Sequence, residues 1–326
     1  MPKCTLQIIT TDEQGNPMRV QEPIVEEGIT WETSRKGEPG KLTFTVKKDE
    51  TLSFPEGAHV RFIYGDTKVF YGFVFTKSRD KEQHITVTAY DQLRYFKNKT
   101  SYIFTSIRAD QVFTRLAKDF LLKIGSVDNT RYVIPKFNKD NMTLFDIVLD
   151  AIDETLMATG ELHFIYDDFG KLMLKNIKDT KIDLCINNST AENFDYSSSI
   201  DNNTYNRVVL VDSENKSERN AVKVQDMAKI RQWGVLQYYE AMNNGGNTKA
   251  NAEALLELHN KVHRSLVVNG IKGDIRCRAG FGVYLDLYLG DLPGQQHMLV
   301  EKAVHTFNHD EHTMDLTLIG AETFYE

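Results

Sequence analysis

The chain has 326 residues, of which 41% are hydrophobic and 26% are charged, and its net charge is −7. This length allows two or three domains with buried cores, and the composition excludes a largely disordered chain. The acidic balance argues against a duplex-binding groove, which usually carries a basic surplus, and no apolar run is long enough for a membrane helix.

The three cysteines, Cys4, Cys185 and Cys277, lie far apart in the sequence. This spacing excludes a CxxC metal or redox motif, and an odd number leaves any disulfide framework incomplete. The first four residues are not followed by the apolar run of a secretory leader. We therefore expect a chain that is made and folds in the cytosol, with reduced thiols and no membrane anchor.

Residues 1–98 are predicted to be almost entirely β. Apolar and polar residues alternate over residues 5–10, 41–46, 57–66 and 85–90. A period of two places one face of each strand in a core. Five or six such strands, separated by Gly, Pro and Asp turns, predict a first small, tube-like β-barrel over residues 1–98, in which closure hides the strand edges.

Two helices are predicted after residue 98, where the apolar spacing changes to three and four. Ser106 can cap the first helix, which ends at Gly125. The second begins at Thr143, where Asp146 forms a pair like a capping box, and ends at Gly160. Both helices have an apolar face.

A hairpin is predicted at residues 162–174. Its turn contains Asp167, Asp168 and Gly170, and Gly170 can adopt a positive φ. With the two helices before it, the hairpin predicts an α+β insert domain over residues 99–180.

Residues 181–326 return to β patterning. Residues 207–211 predict a strand, and residues 233–239 predict another. A helical insertion is predicted at about residues 247–265. The strands between residues 273 and 319 then complete a second tube-like β-barrel, which this helix interrupts.

The two ends of the chain resemble each other. Residues 57–66, 73–77 and 85–90 read as strand, Gly-Asp turn, strand, charged turn and strand, and the same order returns at 280–291, 299–304 and 314–319. Internal similarity of this kind predicts a duplicated unit. The predicted fold class is therefore mixed and mainly β: two similar small β-barrels from an internal duplication, an inserted α+β domain, and a helix within the second barrel.

Histidines give two candidate metal sites. His259 and His263 are four residues apart on the predicted helix, but the glutamate that a zinc protease places after the first histidine is missing, which favours a solvated helix face. His305, His309 and His312 lie around a charged turn, so a polar loop is favoured over adventitious metal binding.

Carboxylates give no defensible catalytic pair. Asp167 and Asp168 are adjacent, so on a strand they point to opposite faces and do not converge on a substrate. The remaining acidic candidates have no paired spacing: Asp153, Glu154, Glu192, Asp195 and Asp201. No nucleophile motif or phosphate-binding glycine loop is present in the sequence. We therefore predict no catalytic, cofactor-binding or metal-binding residues, and a protein that is not an enzyme.

Aromatic residues cluster near the first domain boundary and near residue 238. Such rings can stack on sugars or bases, but packing at a domain junction is favoured. The residues concerned are Tyr90, Tyr95, Phe96, Tyr102, Phe104, Tyr238 and Tyr239.

One stretch carries a family resemblance. Residues 88–98, with Tyr90-Asp91-Gln92-Leu93-Arg94-Tyr95 at their centre, lead into residues 106–110 in a way that resembles the hub proteins of PBSX-type defective prophages, the XkdQ and YqbQ group. The Asn206-Arg207-Val208 strand entry and the ending Gly320-Ala321-Glu322 are similar to that group as well. The resemblance covers nearly the whole chain.

The resemblance implies a structural baseplate hub of a contractile tail, belonging to a phage, a prophage or an R-type bacteriocin. Such a hub would be made in the bacterial host cytoplasm and assemble as a homotrimer. Its two similar units per chain would then give a pseudo-sixfold ring that adapts a hexameric tail tube to a trimeric spike. The implied partners are further copies of the chain, the tube protein, the central spike and other baseplate proteins, with DNA at most passing through the lumen.

Two alternatives stay open at this point. The α+β insert could bind or cleave peptidoglycan, since hub relatives in other phages can carry lysozyme or peptidase modules. The chain could also be a soluble carbohydrate-binding β protein that acts as a monomer.

Overall fold

The N-terminal part of the protein is a set of seven strands. The computed structural model describes residues 2–191, 193–201, 203–212, 221–242, 248–290 and 295–320. The N-terminal strand unit consists of β1 (Cys4–Thr11), β2 (Pro17–Gln21), β3 (Ile29–Ser34), β4 (Lys41–Lys47), β5 (His59–Tyr64), β6 (Thr67–Arg79) and β7 (His84–Tyr90). Alternate residues enter the core, as in β4, where Leu42, Phe44 and Val46 are at most 1% exposed. A 3-10 helix, Gln92–Lys97, follows β7.

An α+β insert follows, and it contains more strand than the sequence predicted. Its elements are β8 (Lys99–Ile107), α1 (Ala109–Asp119), β9 (Ile124–Val127), β10 (Ile134–Thr143), α2 (Leu144–Thr159), β11 (His163–Asp167) and β12 (Leu172–Asn176). β8 pairs with β10, and β9, β11 and β12 form a second small sheet. The predicted hairpin is β11 and β12, and Gly170 has the expected positive φ, 83°.

The two helices of the insert differ in how well their ends were predicted. Thr143 caps α2 by accepting the N–H of Asp146 at 3.1 Å, and Gly160 ends it with φ 71°, both as predicted. The predicted cap at Ser106 is wrong, because Ser106 still belongs to β8. α1 begins after Arg108, whose N–H donates to the Gln111 side chain at 3.1 Å, and it ends at Asp119, before Gly125.

The chain then returns to the main sheet twice. β13 (Lys181–Asn187) and β14 (Asn193–Ser199) precede a second α+β segment, formed by β15 (Arg207–Asp212), β16 (Ala221–Gln225), α3 (Met227–Trp233), β17 (Gln237–Met242) and α4 (Thr248–His259). β18 (His263–Lys272), β19 (Gly282–Asp286), β20 (Gln295–Phe307) and β21 (His312–Gly320) follow. The C-terminal strand unit consists of β13, β14 and β18 to β21.

The second α+β segment is larger than the single helix that was predicted. α4 is that helix, although it ends at His259 and a strand begins at His263. Trp233, predicted in a strand, is the last residue of α3. β16, β15 and β17 form a three-stranded sheet, against which α4 packs Ala252 and Leu255. No helix in the described part of the chain has both the length and the apolar character to cross a membrane.

The two strand units have the same strand order. In the N-terminal unit the order is β3-β4-β7-β6-β5-β1, and in the C-terminal unit it is β14-β18-β21-β20-β19-β13. Taken in chain order, the six strands of one unit correspond one to one with the six of the other. The corresponding strands β1 and β13 differ in direction, because β1 is antiparallel to its neighbour β5 whereas β13 is parallel to its neighbour β19.

The two units also share local details at the positions where the sequences resemble each other. Gly57 and Gly280 both have positive φ, 82° and 87°. Their N–H groups donate at 2.8 Å to the carbonyls of Val74 and Val300, respectively. Directly after these two valines, the ladders β6–β7 and β20–β21 each contain a one-residue bulge. Bulges are specific structural features, so their coincidence supports the interpretation of the repeat as a duplication.

The prediction of two separate closed barrels is wrong. β3 pairs with β20, so both units belong to one continuous 13-stranded sheet. In the N-terminal unit the sheet curls until Val25, which follows β2, forms a single bridge to Val46 of β4. Pro23 precedes this bridge and has no N–H to donate to a ladder. Among the described strands, no ladder closes either unit, while the mainly β class with α+β insertions is confirmed.

Candidate functional site at the junction of the two strand units

The β3–β20 ladder joins the two halves of the protein. β20 is 13 residues long, and residues 295–299 pair with β19 while residues 302–307 extend past it and pair with β3. The N–H of Arg35 continues the ladder by donating to the carbonyl of Glu301 at 3.0 Å. The Arg35 guanidinium also donates to the Glu301 carboxylate at 2.6 Å, and its side chain is only 7% exposed.

Glu32 forms an ion-pair bridge across this ladder. Its carboxylate lies 2.7 Å from Lys41 on one neighbouring strand and 2.8 Å from Lys302 on the other. Burial alone would raise the pKa of Glu32, but the hydrogen bonds from Lys302 and Lys41 outweigh it, so the pKa lies below its usual value. Opposite charges on neighbouring strands contribute modestly to pairing, so these contacts favour the register in which the two units join.

A pair of buried imidazoles lies beneath the junction. His305 Nε2 donates to the carbonyl of Cys277 at 2.7 Å, so its Nδ1 is the acceptor for His312 Nε2 at 2.9 Å. The ring of His305 stacks on Trp31 with centroids 5.0 Å apart. Burial lowers the pKa of His305 to about 3 and that of His312 to about 4, so both rings are neutral near pH 7.

A second polar cluster connects the insert to both strand units. Asp91 accepts the N–H groups of Gly40 and Leu93, both at 2.9 Å, and thereby caps the 3-10 helix. Asp167, at the end of β11, accepts the side-chain amide of Gln92 at 3.1 Å. Arg278 of the C-terminal unit donates to the carbonyl of Asp167 at 2.7 Å.

Electrostatics in this cluster follow from burial. Burial and the neighbouring Asp167 raise the pKa of Asp91 well above its usual range, and burial likewise raises the pKa of Asp167. Burial lowers the pKa of Arg278, but a guanidinium stays protonated near neutral pH. Its charge lies over the ring of Tyr166, 4.4 Å from the centroid, and 5.5 Å from that of Trp31. The cluster holds three segments together without directing a reactive group at a cleft.

The histidine candidates occupy different places in the structure. His259 and His263 both contact the carbonyl of Asn203, each at 3.0 Å, so they converge on a backbone oxygen. His309 lies in the exposed turn, 2.7 Å from Glu27. The polar-loop interpretation is wrong for His305 and His312, which lie on β20 and β21 and are 0% and 6% exposed.

The acidic candidates within the described ranges do not form a pair around a substrate-sized space. Asp168 lies in the hairpin turn, where its backbone exchanges hydrogen bonds with Lys171, whereas Asp167 is buried as described above. On α2, burial raises the pKa of Asp153 and raises that of Glu154 to about 6. Asp195 and Asp201 are exposed. Glu192 lies outside the described residues.

The aromatic candidates near the first boundary pack against one another and against the insert. Phe96 is fully buried and lies 5.6 Å from Phe145 of α2. Tyr102 stacks on Phe104 at 5.2 Å, and Tyr90 and Tyr95 both contact Phe75. Tyr238 packs against Tyr205 at 5.3 Å, while Tyr239 is 60% exposed.

Two further places in the structure have the side chains or the space of a ligand site. Asp80, Glu82 and His84 are near enough to share an ion, but they lie on an exposed turn and Asp80 already accepts the N–H groups of Glu82 and His84. A groove of about 460 Å³ lies beside His312 and includes Cys185. Burial raises the pKa of the Cys185 thiol, so the thiol stays protonated near neutral pH.

The residues that the sequence did not single out are Glu32, Asp91 and Arg278. Asp91 and Gln92 belong to the Tyr90 to Tyr95 stretch that carries the family resemblance, and they make the contacts to Gly40 and Asp167. That stretch was a usable signal. No local sequence signal marked Arg278, because its contact with Asp167 joins residues 111 positions apart.

Comparison with known proteins agrees with the resemblance. A family model described as YQBQ-like matches residues 29–319. The chain is 30% identical to the phage-like element PBSX protein XkdQ of Bacillus subtilis, over 93% of this chain and 95% of that protein. It is also 30% identical to YqbQ of the same organism, over 91% and 92%.

Solved structures show the same fold at low identity. The 43 kDa tail protein of prophage MuSo2 from Shewanella oneidensis superposes with a TM-score of 0.69 at 12% identity, over 98% of this chain and 99% of that one. The E. coli c3393 protein, described as a type VI secretion component similar to the T4 tail proteins gp27 and gp5, has a TM-score of 0.58 at 10% identity, over 98% and 78%.

Proposed function

The chain belongs to the YQBQ-like family, and from this membership we propose that it is a structural baseplate hub of a contractile tail, a homotrimer that adapts a hexameric tail tube to a trimeric spike. Its particle would be a phage, a prophage or an R-type bacteriocin. The proposed partners are two further copies of the chain, the tube protein, the central spike and other baseplate proteins.

The repeated strand order within one chain carries this proposal. Three copies of a chain with two similar units place six similar units around one axis, while the inserts keep true threefold symmetry. The β3–β20 ladder already joins two such units side by side, which is the contact that a ring needs. A sixfold tube ring could then dock on one face and a threefold spike on the other.

The buried ionisable groups support a structural role. Asp91 and Asp167 accept backbone N–H groups, Arg278 donates to the backbone carbonyl of Asp167, and His305 and His312 hydrogen-bond to each other. These groups stabilise the contacts between segments. We therefore propose that the protein acts through its interfaces and is not an enzyme.

Light scattering over a concentration series tests the proposal. The purified protein is measured alone and with the central spike protein of the same particle. We expect three times the chain mass of 37.4 kDa for the chain alone, or, after the spike is added, a complex that contains three copies of the chain and three of the spike. Images of the trimer down its axis should then show six similar units. A chain that stays monomeric at every concentration, with and without the spike, overturns the hub proposal.

A cell-wall degradation assay tests the enzymatic alternative. Glu154 in the insert, whose pKa is about 6, is the carboxyl whose protonation best suits an acid catalyst. Wall-degrading activity that is lost in Glu154→Gln would overturn the non-enzymatic proposal. We expect neither the wild-type protein nor the variant to degrade cell walls.

A further inference from the structure

β14 and β3 occupy equivalent positions in the two strand units, but only β3 is paired on both sides. β3 lies between β4 and β20, whereas β14 pairs with β18 and is the last strand of the sheet among the described residues. β14 therefore has the place of a junction strand, but the strands that the structure describes supply a ladder on only one of its sides.

The ladders give a residue-by-residue correspondence between the two strands. Successive cross-strand partners are Trp31, Leu42, Ala89 and Val74 in the N-terminal unit, and Tyr196, Leu266, Leu318 and Val300 in the C-terminal unit. Tyr196 thus takes the position of Trp31, and both are aromatic. By the same count Phe194 takes the position of Ile29, and it is 40% exposed where Ile29 is 4% exposed.

A matching acceptor edge lies on β6. Residues 302–305 of β20 extend past β19 and receive β3, and the equivalent residues of β6 are 76–79. These four residues pair with β7 on one side, and no described strand pairs with them on the other. Thr76, Ser78 and Arg79 are exposed.

We infer that β14 of one copy adds to β6 of a neighbouring copy, antiparallel, with Ser199 opposite Thr76 and Tyr196 opposite Arg79. This inference rests on the proposed trimer and identifies the contact that closes it. Three such contacts would alternate with three β3–β20 ladders around the ring. The ring would then cover the outer edge of β14 and the open part of β6 in every copy, as strand addition does in closed β assemblies.

The β3–β20 ladder also indicates which side chains face each other most closely. Arg35 and Glu301 are hydrogen-bonded across the ladder, so the pairs at Ser34–Lys302 and Glu32–Val304 are of the non-hydrogen-bonded kind. The pair equivalent to Glu32–Val304 is Ser197 with Ser78 of the neighbour. Cα atoms in such a pair are about 4.5 Å apart, which allows a disulfide.

Cysteine cross-linking tests the contact. Ser78→Cys and Ser197→Cys are introduced together into the full-length chain, after Cys4 and Cys185 have been changed to Ser. The assembly is oxidised under the conditions in which light scattering shows the trimer. We expect dimers and trimers on a non-reducing gel that reducing agent removes. The matched control pairs Ser78→Cys with Ser198→Cys, because the adjacent residue points to the opposite face of β14.

The outcomes test the β14–β6 contact separately from the trimer itself. Intermolecular cross-links with the Ser197 pair, and at least tenfold fewer with the Ser198 pair, support the inference. A trimer without cross-links, equal cross-linking of both pairs, or a disulfide confined to monomers overturns it and leaves the hub proposal standing. Failure to form a trimer under any condition overturns the hub proposal together with the contact.

Discussion

His305 and His312 make the protein sensitive to acid, because both rings are neutral when folded and take up protons when unfolded. The folded pKa values of about 3 and about 4 lie below the unfolded value of about 6.5. The unfolded state therefore binds more protons between these limits. The contribution of each ring to stability is complete above pH 6.5 and decreases as the pH falls, by about 2 kcal/mol per histidine at pH 5.

The variant His312→Asn should therefore lose less stability on acidification than the wild-type protein. We expect the fall in unfolding free energy between pH 7.5 and pH 5 to be smaller by about 2 kcal/mol, measured by urea denaturation at both pH values. His309→Asn is the control, since His309 is exposed in the turn and should leave the fall unchanged. Equal falls in His312→Asn and wild type would contradict a buried neutral ring.

Arg278 gives a second prediction at the scale of single residues. It is the only described cation that contacts Asp167, and its removal leaves the carboxyl cluster without its counter-charge. We expect Arg278→Met to lower the unfolding free energy by about 3–5 kcal/mol, because it leaves buried carboxyl groups without a counter-charge. Protonation of Asp91, whose pKa is already raised, reduces this loss. Urea denaturation at pH 7 measures the change.

The control for this variant is two residues away. Arg276 pairs with Asp274 at 2.6 Å, but its side chain is 57% exposed. We expect Arg276→Met to lose less than about 1 kcal/mol, as exposed ion pairs do. Similar losses of unfolding free energy in Arg278→Met and Arg276→Met would show that burial does not determine how much these arginines contribute to stability.

The sequence could have placed some of these residues but not others. Ala303, His305 and Phe307 are two residues apart on β20, and that period of two puts His305 on the buried face of the strand. A charged turn next to it outweighed this signal, so both histidines were assigned to a loop. Arg278 and Asp91 are different, because their environment depends on segments that meet only in the folded chain.

At the scale of elements, Gly57 and Gly280 are a matched pair of turn residues in the two units. Both have positive φ, which an alanine adopts only with strain. Gly57 has open space around its missing Cβ, whereas a Cβ on Gly280 would collide with the ring of Phe164 in the insert. The same substitution therefore has different consequences at equivalent positions.

We expect Gly57→Ala to lower the unfolding free energy by about 1 kcal/mol and Gly280→Ala to lower it by about 3 kcal/mol or more. Urea denaturation of both variants gives the comparison. Adding Phe164→Leu should restore part of the loss in Gly280→Ala and none of the loss in Gly57→Ala. Equal losses in the two glycine variants would contradict the packing of the insert against Gly280.

Prediction of elements succeeded where local signals were complete. α2 has a cap at Thr143 and a glycine stop at Gly160, and both ends were found. β8 and β10 were missed because most of their side chains are exposed, so their apolar residues follow no clear period. α3 was missed because it is short and contributes no buried residue, leaving Trp233 to be read as part of a strand.

At the scale of the whole molecule, the repeat was visible in the sequence and its connection was not. Each unit has local turns and alternating strands that mark it as a meander. The β3–β20 ladder joins residues about 270 positions apart, and nothing near either strand indicates the pairing. This ladder is also why the prediction of separate closed barrels failed. Each unit was expected to cover its own strand edges, whereas β3 is covered by β20 of the other unit.

The last prediction concerns ring closure without loss of the fold. In the β3–β20 ladder the N–H of Arg35 points to β20, so alternation directs the N–H of Thr33 to the same side. Ser198 takes the position of Thr33, and its N–H therefore points away from β18. Ser198→Pro removes this one donor on an outer edge, where proline is tolerated.

We expect Ser198→Pro to lose the trimer, because a ladder to a neighbour needs that N–H. The unfolding free energy of the single chain, without the contribution of trimer formation, should stay within about 1 kcal/mol of wild type. Ser198→Ala, which retains the N–H, should stay trimeric. Sedimentation velocity at matched concentrations separates the two variants, and urea denaturation confirms that both are folded. A folded Ser198→Pro trimer as stable as the wild-type trimer would place the subunit contact elsewhere than β14.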